Sequence, residues 1–213
     1  MVMLVGVLAL QGDFQTHEEA LREIGLETVE VRRAEDAGFL NPAEGRKGAL
    51  KDANARKVRM RPPVDALVLP GGESSTFDLL GRRYGLDRLV AAYAASGKTL
   101  LGTCAGAIWL GKGEHHRVKP LGLLDVVLER NAYGRQVDSF IAPITVAGLE
   151  EPFEAVFIRA PKMLAIGPGV EVLAEYEGSP VFVRQGNLWA ATFHPERTPD
   201  RRIHEMVFKA AGG

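Results

Sequence analysis

The first hundred residues carry four strand-like runs, "MVMLVGVLAL", "LETVEVRR", "VDALVLP" and "KTLLGT", with helix-period segments between most of them. This alternation limits the fold more than any other feature of the chain. Runs such as "VDALVLP" and "KTLLGT" offer water no polar face, so they read as strands buried on both sides of a mostly parallel sheet that helices must cover. "FQTHEEALREIG" sets Phe14, Leu21 and Ile24 on one helical face and stops at Gly25. In "GGESSTFDLL", Ser74 and Ser75 are placed to cap a second helix, and "LDRLVAAYAASG" supplies a third. The order βαββαβα is that of a layered α/β protein.

The second half is richer in strands: "LLDVVLE", "SFIAPITV", "EAVFIRA", "VEVLAEYE", "PVFVRQ" and "LWAATF" follow one another between Gly and Pro turns. "DRRIHEMVFKAA" closes the chain as a helix expected to pack Ile203, Met206, Val207 and Ala210. With 213 residues, 46% of them apolar, and no linker-like stretch, residues 1–213 read as one domain. Ala34 to Pro63 departs from this plan. It is charged, poor in apolar residues and longer than ordinary connections, and is expected to be a surface excursion with a solvated basic second half.

Lys plus Arg number 26 against 27 Asp plus Glu, a net charge of −1, so no global basic field draws the chain to nucleic acid or to a membrane surface. The apolar start is too short to span a bilayer and has no basic flank or cleavage pattern, and reads as the first buried strand. One cysteine permits no intrachain disulfide and no C-x-x-C site, which fits a cytoplasmic protein. There is no Walker loop or G-x-G-x-x-G, and the adjacent His115 and His116 lack carboxylate or cysteine partners, so neither a cofactor nor a metal is expected.

That single cysteine sits in "KTLLGTCAGAIWL". A buried strand ends at Thr103, Cys104 follows, and a helix begins near Ala105, reproducing with sulfur the strand-turn-helix elbow of G-x-S-x-G nucleophiles. Gly102 and Gly106 let the neighbouring chain pass where a Cβ would clash, and the helix start favours thiolate over thiol. A free cysteine is as often a small buried hydrophobe, and the elbow alone leaves both readings open. "ATFHPE" decides between them: His194 follows another apolar strand, with Glu196 two residues on. Functional groups of α/β sheets gather at the carboxyl ends of the strands, where Cys104 and His194 can meet. An imidazole there activates the thiol and protonates a leaving group, while a carboxylate on the far ring nitrogen sets the tautomer. "LPGGESS" adds Gly71 and Gly72 at a third strand end, where an amide N–H can turn toward an oxyanion with the Ala105 N–H as second donor.

On these residues the sequence resembles the class I, triad-type glutamine amidotransferases. "LALQGDF", "LPGGESS", "GTCAGAIWL", "ERNAYGRQVDSF", "VFIRAP" and "FHPE" together are similar to the family of glutaminase subunits of two-subunit pyridoxal 5′-phosphate synthases. The resemblance implies a flavodoxin-like three-layer α/β/α sandwich and hydrolysis of L-glutamine through a thioester on Cys104, with His194 and Glu196 completing the triad. It places glutamine binding on Gly72, Glu73, Ser74, Arg130, Ile158 and Arg159, and the oxyanion hole at Gly72 and Ala105. Gln11 matches a family position near the oxyanion loop and is expected to order that loop when the partner docks. The partner implied is the (β/α)₈ synthase subunit in a large hetero-oligomer, with no pyridoxal phosphate bound by this chain. A glutaminase for another pathway and a non-catalytic regulatory member of the fold are the alternatives. Two departures from the family pattern are the long Ala34 to Pro63 segment and Arg197, which stands where the family usually has an apolar residue.

Overall fold

The computed structural model describes residues 2–39, 63–130 and 139–209. Its centre is a seven-stranded sheet in the order β2-β1-β3-β4-β11-β10-β9. The first five in that order, β2 (Glu27–Val31), β1 (Leu4–Leu8), β3 (Ala66–Leu69), β4 (Thr99–Thr103) and β11 (Leu188–Ala191), run parallel. The last two, β10 (Ser179–Gln185) and β9 (Glu171–Tyr176), add an antiparallel extension. Strand order 2-1-3-4 followed by a fifth parallel strand is the flavodoxin-like arrangement. Every residue of β3, β4 and β11 is buried, as strands covered on both faces must be, whereas the edge strand β9 is half exposed.

Because side chains alternate across a strand, the sheet divides the core in two. Leu67, Leu69 and Leu100 pack against α2 (Ser74–Arg83), α3 (Leu86–Ala95) and α4 (Ala105–Leu110) through Phe77, Leu89 and Trp109. Ala66, Val68 and Leu101 face the other way, toward α1 (Phe14–Glu23), α5 (Arg202–Lys209) and the hairpin of β6 (Ser139–Ile144) and β7 (Phe153–Ile158). The result is three layers, helix–sheet–helix. A second two-stranded antiparallel sheet joins β5 (Val126–Glu129) to β8 (Lys162–Ile166).

Four details differ from the sequence reading. The N-cap of α2 is Glu73, whose side chain accepts the Thr76 N–H, so Ser74 and Ser75 lie inside the first turn. Strand β8 was not foreseen, because its "KMLAI" buries only Met163 and shows no alternation. The expected surface excursion begins instead as core: Ala34–Ala37 form a 3-10 turn in which Ala34 and Ala37 are buried, and the Tyr93 hydroxyl donates to the Ala37 carbonyl at 3.0 Å. Residues 40–62 of that segment lie outside the described residues. In α5, Ile203, Val207 and Phe208 are buried and Met206 only partly so, while Ala210 lies outside the described residues.

Candidate active site

Cys104 stands between β4 and α4 with φ 47° and ψ −104°, a strained conformation for a residue with a side chain. It is held there by its own N–H on the Ala191 carbonyl at 2.9 Å and by Ile108 N–H on its carbonyl at 3.1 Å. The turn is this sharp because α4 lies directly on the neighbouring strand, and a Cβ at Gly106 would come within 1.9 Å of the Leu69 carbonyl oxygen. Cys104 is 8% exposed, at the wall of a cavity of about 320 Å³.

His194 reaches the same point from the end of β11. Its N–H donates to the Val156 carbonyl at 2.8 Å, and the chain then folds into a short 3-10 turn, Pro195–Arg197, that returns Glu196 beneath the imidazole. Nδ1 of His194 lies 2.7 Å from Oε1 of Glu196, and both side chains are buried. His194 and Cys104 line the same cavity. Burial works against a charged imidazole here, but the interactions with Cys104 and Glu196 prevail and raise His194 to about 10. Glu196 is likewise buried, yet His17 and His194 beside it hold its carboxyl down at about 2. The arrangement can hold a thiolate–imidazolium pair with the ring orientation set by an ionised carboxylate.

The glycine loop closes the site from above. A Cβ on Gly71 would fall 2.5 Å from Cε1 of His194 and 3.3 Å from Cβ of Cys104, so bare backbone covers both groups. Gln11 clamps the next residues: its Oε1 accepts the Glu73 N–H at 2.9 Å and its Nε2 donates to the Glu73 carbonyl at 3.1 Å. These contacts lie entirely within the chain. Gly72, at φ 136°, packs its Cα against the Gln11 amide.

All six residues expected to bind substrate, Gly72, Glu73, Ser74, Arg130, Ile158 and Arg159, line the cavity together with Cys104, Ala105 and His194. Arg130 is engaged there by Oε1 of Glu73 at 2.9 Å, while Ser75 Oγ and the Thr76 N–H bond the other oxygen and lower the Glu73 carboxyl to about 2. Arg159, at φ 43°, is strained like Cys104. Glu196 and Gln11 stand behind the wall and support it.

Further residues that the sequence reading gave no part in the site belong to it. Asp13 lines the mouth and pairs with Arg197 at 2.5 Å, which gives the departure at position 197 a local role. His17, Thr103 and His204 form a fully buried polar group behind Glu196. His17 falls on the same helical face as Phe14, Leu21 and Ile24, and a polar residue on that face was the available signal. Asp13, His194 and Glu196 bring ligand-type atoms within 4.8 Å of one another, but the His194–Glu196 hydrogen bond already uses the facing atoms, and the group reads as a hydrogen-bonded pair rather than a cation site.

The model of the SNO glutamine amidotransferase family matches residues 7–211. The chain is 46% identical to the pyridoxal 5′-phosphate synthase subunit PdxT of Thermus thermophilus, over 98% of each chain, and 44% identical to the PdxT of Halorubrum lacusprofundi, over 97% of this chain and 96% of that one. A solved structure described as a glutamine amidotransferase superposes with a TM-score of 0.81 at 44% identity, covering 98% of this chain and 99% of that one.

Proposed function

The chain belongs to the SNO glutamine amidotransferase family, and from that premise we propose that it hydrolyses L-glutamine to L-glutamate and ammonia and passes the ammonia to a (β/α)₈ pyridoxal 5′-phosphate synthase subunit in vitamin B6 biosynthesis. The observation that carries this reading is the meeting of strained Cys104, His194 and Glu196 at one cavity wall. Curated relatives of the same length named as PdxT support the pathway.

The Cys104 sulfur attacks the side-chain carboxamide carbon of glutamine, its proton passing to His194. The carbonyl oxygen becomes an oxyanion stabilised by backbone N–H groups at Gly72 and Ala105. When the C–N bond breaks, His194 returns the proton to the nitrogen and ammonia leaves. The γ-glutamyl thioester is then cleaved by water, which gives one proton through His194 to the sulfur and its hydroxyl to the acyl carbon, releasing glutamate. Glu196 holds the imidazole in the tautomer that each transfer needs. The substrate's α-carboxylate and ammonium require groups of opposite charge, which Arg130, Arg159 and Glu73 supply with Ser74, while Ile158 presents its carbonyl 4.0 Å from Sγ. The reaction belongs in the cytoplasm, as part of a hetero-oligomer with the synthase subunit.

Labelling with a glutamine-analogue diazo-ketone, synthase subunit present, tests the reading: the adduct maps to Cys104 by mass spectrometry, and Cys104→Ala abolishes ammonia release. Adducts elsewhere, or ammonia release undiminished in Cys104→Ala, overturn it. Pyridoxal phosphate formation in the same mixture separates this pathway from a glutaminase serving another synthase.

A further inference from the structure

Glu196 is acceptor-only and buried, so both of its oxygens need donors. Oε1 has the His194 ring. Oε2 lies 3.2 Å from Nε2 of His17, whose other close neighbour is Thr103 Oγ1, also at 3.2 Å. The hydrogen bond of Nε2 is with the threonine, and Oε2 is buried without a hydrogen-bond partner among the described residues, with His17 Nε2 the nearby group able to donate to it. On the far side, Nδ1 of His17 lies 3.1 Å from Nε2 of His204, whose own Nδ1 is buried without a partner. Nothing in the glutaminase chemistry uses these two histidines.

From this geometry we propose that His17 is a positioning residue: it donates Nε2–H toward Glu196 Oε2 and Thr103, accepts from His204 through Nδ1, and thereby keeps Glu196 ionised and aimed at His194. The tautomers follow from the acceptors. A carboxylate cannot donate, so the His17 nitrogen facing it must carry the hydrogen. Nδ1 of His17 must then accept, which places the hydrogen of His204 on Nε2 and leaves its Nδ1 bare. The chain of contacts runs His204–His17–Glu196–His194–Cys104, linking α5 and α1 to the nucleophile.

The charged and titratable groups around His17 are Glu196 and His194 from the turn after β11, Asp13 from the loop before α1, and Arg201 and His204 from the start of α5, with the neutral Thr103 at the end of β4. Burial outweighs the attraction of Glu196 and lowers His17, consistent with a neutral donor. Neutrality suits the role. A cationic His17 would compete with His194 for the carboxylate's charge, whereas a neutral N–H orients it without opposing the imidazolium.

The kinetic arm of the test rests on the glutaminase reading, and the spectroscopic arm does not. In ¹⁵N-histidine-labelled full-length chain, ¹H–¹⁵N correlation between pH 5.5 and 9 should find His17 neutral throughout with its hydrogen on Nε2. The Nδ1–H tautomer, or protonation near pH 6.5, overturns the proposal, and this measurement needs no variant. In His17→Leu, His194 should titrate at least one pH unit lower than in the wild type. With the synthase subunit present, kcat should fall tenfold or more, KM for glutamine should stay within threefold, and the alkaline limb of the rate profile should move down with His194. His17→Gln, which restores an N–H at the Nε2 position, should recover most of kcat and of the titration. An unmoved His194 titration in folded His17→Leu, or a change confined to KM, overturns the proposal. If His17→Leu does not fold, the wild-type tautomer and the His17→Gln titration decide. Absence of glutaminase activity in the wild-type complex would refute the glutaminase reading while the titrations still settle the role of His17.

Discussion

Nη2 of Arg197 lies 2.5 Å from Oδ2 of Asp13, an ion pair that ties the turn carrying Glu196 to the loop that opens α1 at the mouth of the cavity. It is half-exposed, so its contribution to stability is at most about 1 kcal/mol. Its effect belongs to the mouth. Arg197→Leu, the type of residue usual in the family, leaves Asp13 as an unpaired negative charge facing the incoming carboxylate of glutamine. We expect KM to rise about threefold with kcat unchanged, and 0.5 M salt to shrink the difference. Steady-state kinetics at two salt concentrations check this, and a fall in kcat at constant KM would place Arg197 in the chemical step instead.

Gln11 bonds both backbone groups of Glu73. Its removal frees the Gly72–Glu73 peptide unit next to the one that carries the Gly72 N–H, and a misdirected oxyanion donor costs about 3 kcal/mol, roughly a hundredfold in rate. Gln11→Ala should therefore lose between tenfold and a hundredfold in kcat with synthase bound, while affinity for the synthase changes little. Titration calorimetry beside the glutaminase assay checks the pair of outcomes. If the clamp is the element that docking reinforces, the isolated wild-type chain should turn over far more slowly than the complex.

Two glycines separate catalysis from folding. Gly71→Ala would put a methyl 2.5 Å from Cε1 of His194, a contact that the ring can relieve by moving. A displacement near 1 Å costs on the order of a hundredfold in rate, with Tm little changed. Gly106→Ala would put a methyl 1.9 Å from the Leu69 carbonyl oxygen, where backbone must shift, and should destabilise the fold by about 3 kcal/mol. Urea melts and kcat of both variants distinguish the two effects; equal stability losses would contradict this assignment.

The buried histidines set the pH response of stability. Burial first, and His17 second, lower His204 to about 3, and His17 is lowered as well. The unfolded chain, whose histidines titrate near 6.5, then binds the extra protons, so stability falls as pH drops below 6.5, by about 1.4 kcal/mol per pH unit for each group still neutral in the fold, and for His204 this continues toward 3. Glu196, held at about 2, adds stability above pH 4.5 that is lost as pH falls through 2. His194 has the opposite sign. With its folded pKa raised to about 10, its contribution is complete below 6.5 and is lost as pH rises through 10. His204→Gln should flatten the decline between pH 6.5 and 4 and leave the alkaline decline in place, as read from Tm between pH 4 and 10.

The sequence by itself determined what depends on short-range spacing. The apolar runs marked β1, β3 and β4 by their lack of a polar face, while the alternating "LETVEVRR" marked β2 and "LWAATF" marked the fifth parallel strand. The elbow was legible because strand, Cys104 and helix follow within three residues, with glycines where α4 crosses β3. His194 and Glu196 were legible because Pro195 and a single 3-10 turn fix a separation of two residues. Tertiary structure decided what depends on which distant segments meet. Strand β8 exists because β5 pairs with it and not because of its own pattern. Ala34 and Ala37 look like loop residues, yet they are buried because α3 and the sheet leave a space that small side chains fill. The contacts of Arg197 with Asp13 and of His17 with His204 span 184 and 187 residues along the chain. No local pattern encodes such distances. The order of strands in the sheet brings those side chains together, and burial then favours pairing of polar atoms such as those of His17 and His204 with whatever partner the fold has put beside them.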